Sequence, residues 1–183
     1  MRVLREERDL PVARLWLIMT STILPSAALL YALGRPSWWL LAAHFALVIY
    51  FFAPFILAIH VSSHRQVFSP RFRWLQQIPV WVIGPFMGQS PETYRVHHMG
   101  MHHAEGNMPE DLSSTMAYQR DRLTHFLHYY LRFFLFAPIE LGLYHARRGH
   151  WRMLRQMLIG ELSYFAAIVL LFVFVNPLVT GVV

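Results

Sequence analysis

"PSWWLLAAHFALVIYFFAPFILAIHVSSH", residues 36–64, decides how this chain folds. From Pro36 to Ile59 it holds no formal charge, and Ser37 and His44 are its polar interruptions. Crossing a bilayer takes about 20 apolar residues, and in hydrocarbon only a helix or a closed barrel satisfies its own backbone. The stretch therefore reads as a membrane-spanning helix that delivers the chain to a histidine pair, His60 and His64. Those two are spaced i, i+4, so on a continuing helix they share a face and can bind one metal ion.

Two further stretches read the same way. Leu15 to Gly34 is free of charge, and the run from about Met157 to Val175 carries Glu161 near its start and is uncharged from Leu162 to Val183. "GRPSW" (34–38) joins the first two spans in a tight hairpin, with tryptophan suited to a membrane interface. Pro25 and Pro54 are expected to kink those two helices. Composition agrees: 56% of the 183 residues are hydrophobic and only 14% are charged, against roughly 25% in soluble domains. Much of the surface must then face lipid. The expected fold is all-α: an integral membrane protein with about three transmembrane helices plus interfacial helices.

Sidedness follows from arginine, which supplies all 16 basic residues. The N-terminal tail carries Arg2, Arg5, Arg8 and Arg14, against Arg35 in the hairpin loop. By the positive-inside rule the tail is cytoplasmic, and the second span returns the chain to the cytoplasm near His60. A bacterial inner membrane is the expected setting. A cleaved signal peptide is the competing reading, which Glu6, Glu7, Asp9 and the length of the apolar run disfavour. The net charge of +6 is scattered beside apolar runs, so it is assigned to topology and not to nucleic acid.

Residues 60 to about 155 then form a cytoplasmic section. Within it "WLQQIPVWVIGPFMG" (74–88) is apolar but broken by Pro79, Gly84, Pro85 and Gly88, as in a segment that lies on or dips into the membrane. "LTHFLHYYLRFFLFAPIELGLYH" (123–145) contains Arg132 and Glu140 and reads as an interfacial amphipathic helix. "VHHMGMHHAEGN" (96–107) is the densest histidine stretch of a chain with 11 histidines and no cysteine. Without cysteine there are no disulfides, thiolate metal sites or thiol nucleophiles. On an α-helix His98 and His102 share a face, and His103 points about 100° away, toward a second metal position. His97 is a further candidate. Imidazole suits iron, zinc, copper and nickel. A centre that oxidises aliphatic C–H bonds has reason to avoid thiolate, which would itself be oxidised.

The pair "HVSSH" followed by "HHMGMHHAEGNMPEDLSSTMAYQRD" (97–121) resembles the first two histidine boxes of the membrane fatty acid desaturases. The order, spacing and surrounding hydropathy are similar over nearly the whole chain, 1–183, taken as one desaturase-like membrane domain. The resemblance implies metal ligation by His60, His64, His98, His102 and His103. It also implies two iron ions, dioxygen as co-substrate, an acyl-chain substrate and an electron donor of the cytochrome b5 or ferredoxin type. The product would be a double bond in the acyl chain, made at the cytoplasmic membrane face. That family carries a third box after a fourth span, whereas no histidine follows His150 here. The chain is therefore expected to be the N-terminal part of a longer enzyme or a degenerate copy, inactive on its own.

Other readings stay open at this stage. A related di-iron hydroxylase of the alkane or carotenoid type shares the boxes. A non-enzymatic membrane metal-binding or transport protein would need more polar groups in its spans than His44 and Glu161. A haem protein would need axial histidines on facing helices inside the bilayer. His44 is either functional or bonded within the helix bundle. His125 and His128 read as interface-facing tips, and His145 and His150 as solvated groups beside an arginine-rich turn. Glu105, Asn107 and Asp111 either orient ligand imidazoles or serve caps and turns, with Asp111 a candidate helix start. Arg120, Asp121 and Arg122 read as a solvated cluster. Phe126, Tyr129, Tyr130, Phe133, Phe134 and Phe136 read as packing residues.

Overall fold

A computed structural model describes residues 2–183. Among these, every regular element is helical, apart from an isolated antiparallel bridge between Leu4 and Phe68. Four helices are long: α1 (Leu10–Leu33), α2 (Trp38–His64), α3 (Leu123–Arg147) and α4 (Trp151–Phe174). Three of them, α1, α2 and α4, are long and apolar enough to cross a membrane. The fold is thus the all-helical, membrane-span-bearing one the sequence predicts. Both α1 and α2 run continuously through their internal prolines, Pro25 and Pro54. Helix α2 also continues past the apolar run and includes the histidine pair. Helix α4 begins at Trp151, before the apolar run, so Glu161 sits in the helix interior.

The chain divides into two compact units, Met1–Pro91 with Glu161–Val183, and Glu92–Gly160. The first is built on the α1–α2 hairpin. Helix α1 buries Trp16, Met19, Ile23, Ala27 and Leu30, a spacing of three and four that makes one stripe. Helix α2 answers with Leu41, His44, Phe51, Phe55 and Ala58. The opposite faces expose Leu17, Ile18, Leu29, Phe45, Ile49 and Leu57, as helices bathed in lipid do. Between apolar helices in lipid the hydrophobic drive is lost, so polar bonds count. His44, buried, shares a hydrogen bond of 2.8 Å between its Nδ1 and the Ser26 hydroxyl. Ser26 spends its own proton on the Ile23 carbonyl, so His44 is the donor. His44 is thus held within the helix pair.

Gly34, at φ +65°, ends α1 with a backbone few other residues accept. The C-terminal turn Pro177–Thr180 closes this end of the hairpin. The Asn176 amide donates to the Gly34 carbonyl, Tyr31 and Thr180 share a 3.0 Å bond, and Val179 is buried with Leu30 and Leu41.

The other end of the hairpin carries His60 and His64, and four contacts fix it. Residues 3–5 pair with 67–69 through Arg5 N–H to Val67 O and Ser69 N–H to Val3 O, both 2.9 Å. Asp9, 1% exposed, is paired with the Arg65 guanidinium at 2.6 Å. Gln76, from the 3-10 helix Pro70–Gln77, donates to the Ser62 and Arg65 carbonyls and accepts from Val67 N–H. The last carbonyls of a helix have no partner within it, and Gln76 supplies one. Trp16, Ala58, Val67 and Phe68 form the apolar cluster beneath. The 74–88 segment is a succession of short pieces: that 3-10 helix, a π-helical turn Pro79–Ile83 and one α turn Gly84–Phe86.

Breaking a buried ion pair by removing one partner strands the other charge, at a cost of about 3–5 kcal/mol. Arg65→Ala is expected to lower stability by about 3 kcal/mol, and Asp9→Leu combined with Arg65→Met to recover most of it. Thermal unfolding in detergent micelles checks both; an Arg65→Ala variant as stable as the parent would show the pair to be without structural weight.

Candidate metal centre

In the first unit, His60 and His64 lie in the last two turns of α2. Their ring centroids are 4.8 Å apart, as i, i+4 spacing on a helix requires. His60 is half-buried and His64 exposed.

In the second unit the other three candidates sit on one short composite helix. It consists of an α turn Thr93–His97, a π turn His98–His102 and an α turn His103–Glu105. The π turn changes the register. The His103 N–H bonds to the His98 carbonyl, an i→i+5 closure. On an α-helix residues five apart lie about 140° apart around the axis. Here they stack. His98 Nε2 and His103 Nε2 are 3.2 Å apart, with ring centroids at 4.5 Å. His103 therefore does not point away from His98, as an α-helical reading has it; the extra residue in the turn swings it round.

The 3.2 Å spacing suits a shared ion. With imidazole–metal bonds of about 2.0–2.1 Å, two ligands on one tetrahedral or octahedral ion sit about 2.9–3.4 Å apart. His98 is buried and His103 exposed, so a metal there would have one walled and one open side.

His102 is held differently. Its Nδ1 lies 2.7 Å from Asp111 Oδ2 and 3.1 Å from the Ser113 hydroxyl. Ser113 donates to Asp111 Oδ1 through both its hydroxyl and its backbone N–H, at 2.7 and 2.9 Å, and the Asn107 N–H reaches Oδ2. The acceptor-only carboxylate makes His102 Nδ1 the donor, which leaves Nε2 as the ring atom able to ligate. Asp111 is 3% exposed. Burial pushes its carboxyl up, but the bonds from Ser113 and His102 outweigh it and hold the group below the ordinary carboxylate range. It is an anion at neutral pH. Asp111 thus both holds its own turn, through the Ser113 and Asn107 N–H groups, and fixes the His102 ring; it starts no helix. Gly106, at φ +57°, turns the chain so that this loop comes back to His102.

His97 Nε2 is buried without a hydrogen-bond partner and lies 3.8 Å from Asp111 Oδ1. Burial lowers its pKa despite that carboxylate, so it stays neutral. Of the remaining candidates, His125 accepts the Gln119 N–H at its Nδ1 and serves the entry to α3. Arg120, Asp121 and Arg122 are exposed. Glu105 takes a 2.5 Å bond from the Tyr144 hydroxyl and a 2.7 Å ion pair from Arg148. Burial, helped by Glu105, pushes Tyr144 up to about 12, which keeps it a proton donor.

His145 corrects the sequence reading. It is not solvated beside the arginine-rich turn but wholly buried, on the inner side of α3 with Leu141. His150 is exposed. The signal available in the sequence was glycine: Gly100 and Gly142 mark faces where Met153, Met157 and His145 pack against bare backbone.

A family model described as fatty acid desaturase matches residues 5–183. The chain belongs to the fatty acid desaturase family. No curated protein and no solved structure matches it. Family membership covers almost the full chain and makes a desaturase-like function in general the frame for its histidines.

For this desaturase-family chain, Asp111→Ala is expected to weaken metal binding about 10–100-fold, the usual effect of losing the group that orients a ligand imidazole. A competition titration against a chelator, on the purified chain in micelles, measures it. Unchanged affinity would leave Asp111 as a loop residue only.

Proposed function

We propose that this chain is the metal-holding part of a membrane oxidoreductase that desaturates an acyl chain at the cytoplasmic face of a bacterial inner membrane. One observation carries the metal reading: His98 and His103 present their Nε2 atoms to each other at 3.2 Å. His60, His64 and His102 complete the ligands that this chain offers toward two iron ions, short of the full set that two irons need. Cysteine is absent from the chain, so the donor set is imidazole throughout, a set suited to iron.

Bound there, iron would supply dioxygen activation, so that two hydrogens leave the acyl chain and, with two electrons and two protons, oxygen ends as two waters. The electrons come from a donor of the cytochrome b5 or ferredoxin type. The chain's own residues do the rest. His60 and His64 offer two imidazoles from one helix face at the end of a span. Asp111 and Ser113 hold the His102 proton on Nδ1 and turn Nε2 outward. Apolar helices α1, α2 and α4 give the substrate its solvent, the bilayer.

Expressed from its complete gene in a bacterial host supplied with iron, the protein is expected to retain iron on purification and to raise the unsaturated fraction of the host's membrane lipids. His98→Ala and His103→Ala should each weaken iron binding at least about tenfold and abolish the lipid change. Elemental analysis and gas chromatography of the fatty acids read the two effects. Hydroxylated chains in place of double bonds would make it a hydroxylase of the same chemistry; full activity in His98→Ala would sink the metal reading.

A further inference from the structure

The π turn at His98–His102 needs a cause. An i→i+5 turn is rare and frequently falls at a functional site. In this unit the outside contact falls on Gly100, the middle residue of the turn. A β-carbon at Gly100 would lie 3.0 Å from His145 Cε1 and 2.6 Å from Met153 Sδ. The first of these contacts is tighter than nine in ten real β-carbon contacts and the second closer than real β-carbons come, so both side chains use the space that the glycine leaves.

His145 is the rigid partner of the two. Its side chain is wholly buried. Its Nδ1 is 3.3 Å from His150 Nδ1, and the His150 N–H donates to the His145 carbonyl at 2.9 Å. The turn between α3 and α4 thus fixes the imidazole from behind. In front, the ring meets Gly100 and the backbone of Val96, one turn earlier on the composite helix.

One end of that helix is held by α4, the other by the end of α3 and the turn that follows it. Glu92, at its start, is buried at φ +67°, a left-handed conformation that is strained for a non-glycine residue. The Gln156 amide of α4 donates to its carboxylate. Glu105, at the other end, is held by Tyr144 and Arg148. With its ends fixed and its centre pressed at Gly100, the helix accommodates one extra residue by widening.

We propose that His145 is a positioning residue for the metal centre: wedged against Gly100, it holds open the π turn that brings His98 and His103 together. The proposal rests on the reading of those two histidines as ligands. Were the turn to relax to α-helix, His103 would rotate to about 140° from His98 and the pair would be lost.

The experiment uses the full chain in micelles, as His145→Ala, His145→Gln and Gly100→Ala. Hydrogen exchange of the metal-free protein follows the peptide covering 98–105, with peptides from α1 and α2 as the folding control. Cobalt(II) then probes the loaded site through its visible absorption. His145→Ala and Gly100→Ala are expected to speed exchange in 98–105 by about tenfold or more, leave α1 and α2 unchanged, and alter the cobalt spectrum. His145→Gln, similar in length and polarity, is expected to restore both. Wild-type exchange and an unaltered cobalt spectrum in His145→Ala, or in Gly100→Ala should His145→Ala not fold, overturn the positioning role alone. A parent chain that takes up no cobalt overturns the metal reading and the positioning role with it.

Discussion

A single backbone hydrogen bond, from the His103 N–H to the His98 carbonyl, sets the geometry of the candidate centre. Five residues on an α-helix carry the chain about 500° around its axis, which puts side chains i and i+5 on different faces. Closing the turn over five residues instead places them one above the other. That is how two histidines with the wrong α-helical spacing come to share a 3.2 Å contact. The rest of the second unit is arranged around this bond. Gly100 gives the widened turn a face that another helix can approach, and Gly106 ends the helix so that the loop carrying Asp111 folds back onto His102.

The first unit solves a different problem, that of fixing the end of a helix whose sides are lipid-facing. Apolar packing does little to fix register when the solvent is itself apolar. The chain therefore relies on polar bonds at three heights along the α1–α2 hairpin. Asn176 to Gly34 and Tyr31 to Thr180 tie one end, Ser26 to His44 the middle, and Asp9 to Arg65 with Gln76 the other end. The last group is the most elaborate and stands beside His60 and His64. Gln76 meets the exposed carbonyls of Ser62 and Arg65, so the turn that carries both imidazoles has less freedom to fray.

The spans were legible because length and lack of charge are enough to specify them: uncharged runs such as Pro36–Ile59 leave a chain few alternatives. The histidine pair on α2 was legible too, since i, i+4 spacing has one meaning on a regular helix. The register at 98–103 was not. Nothing in "HMGMHH" itself demands a π turn, because what widens the helix comes from far along the chain, namely His145 and Met153. His145 was hidden for a related reason: Arg147, Arg148 and Arg152 nearby suggest a wet turn, while the helical period sets it on the buried side with Leu141. For Asp111 the sequence offers two roles, and the structure shows both a turn held by Ser113 and Asn107 and a 2.7 Å approach to His102 Nδ1.

The choice of ring nitrogen bears on what kind of site this is. A histidine used as a general base needs a proton donor or acceptor within reach and a pKa near the working pH. The arrangement here favours ligation. Asp111, an anion fixed by Ser113 and Asn107, commits the His102 proton to Nδ1, and the ring cannot give it up without losing its charged partner. His98 and His103 likewise converge through Nε2, the atom farther from the backbone, which lets rings on one short helix reach a common point. His97 is kept neutral by burial, as a ligand imidazole must be. Asp111 thus directs His102 toward presenting its Nε2, while His98 and His103 bring their Nε2 atoms within 3.2 Å of each other, a separation that a shared proton or a shared metal ion fits.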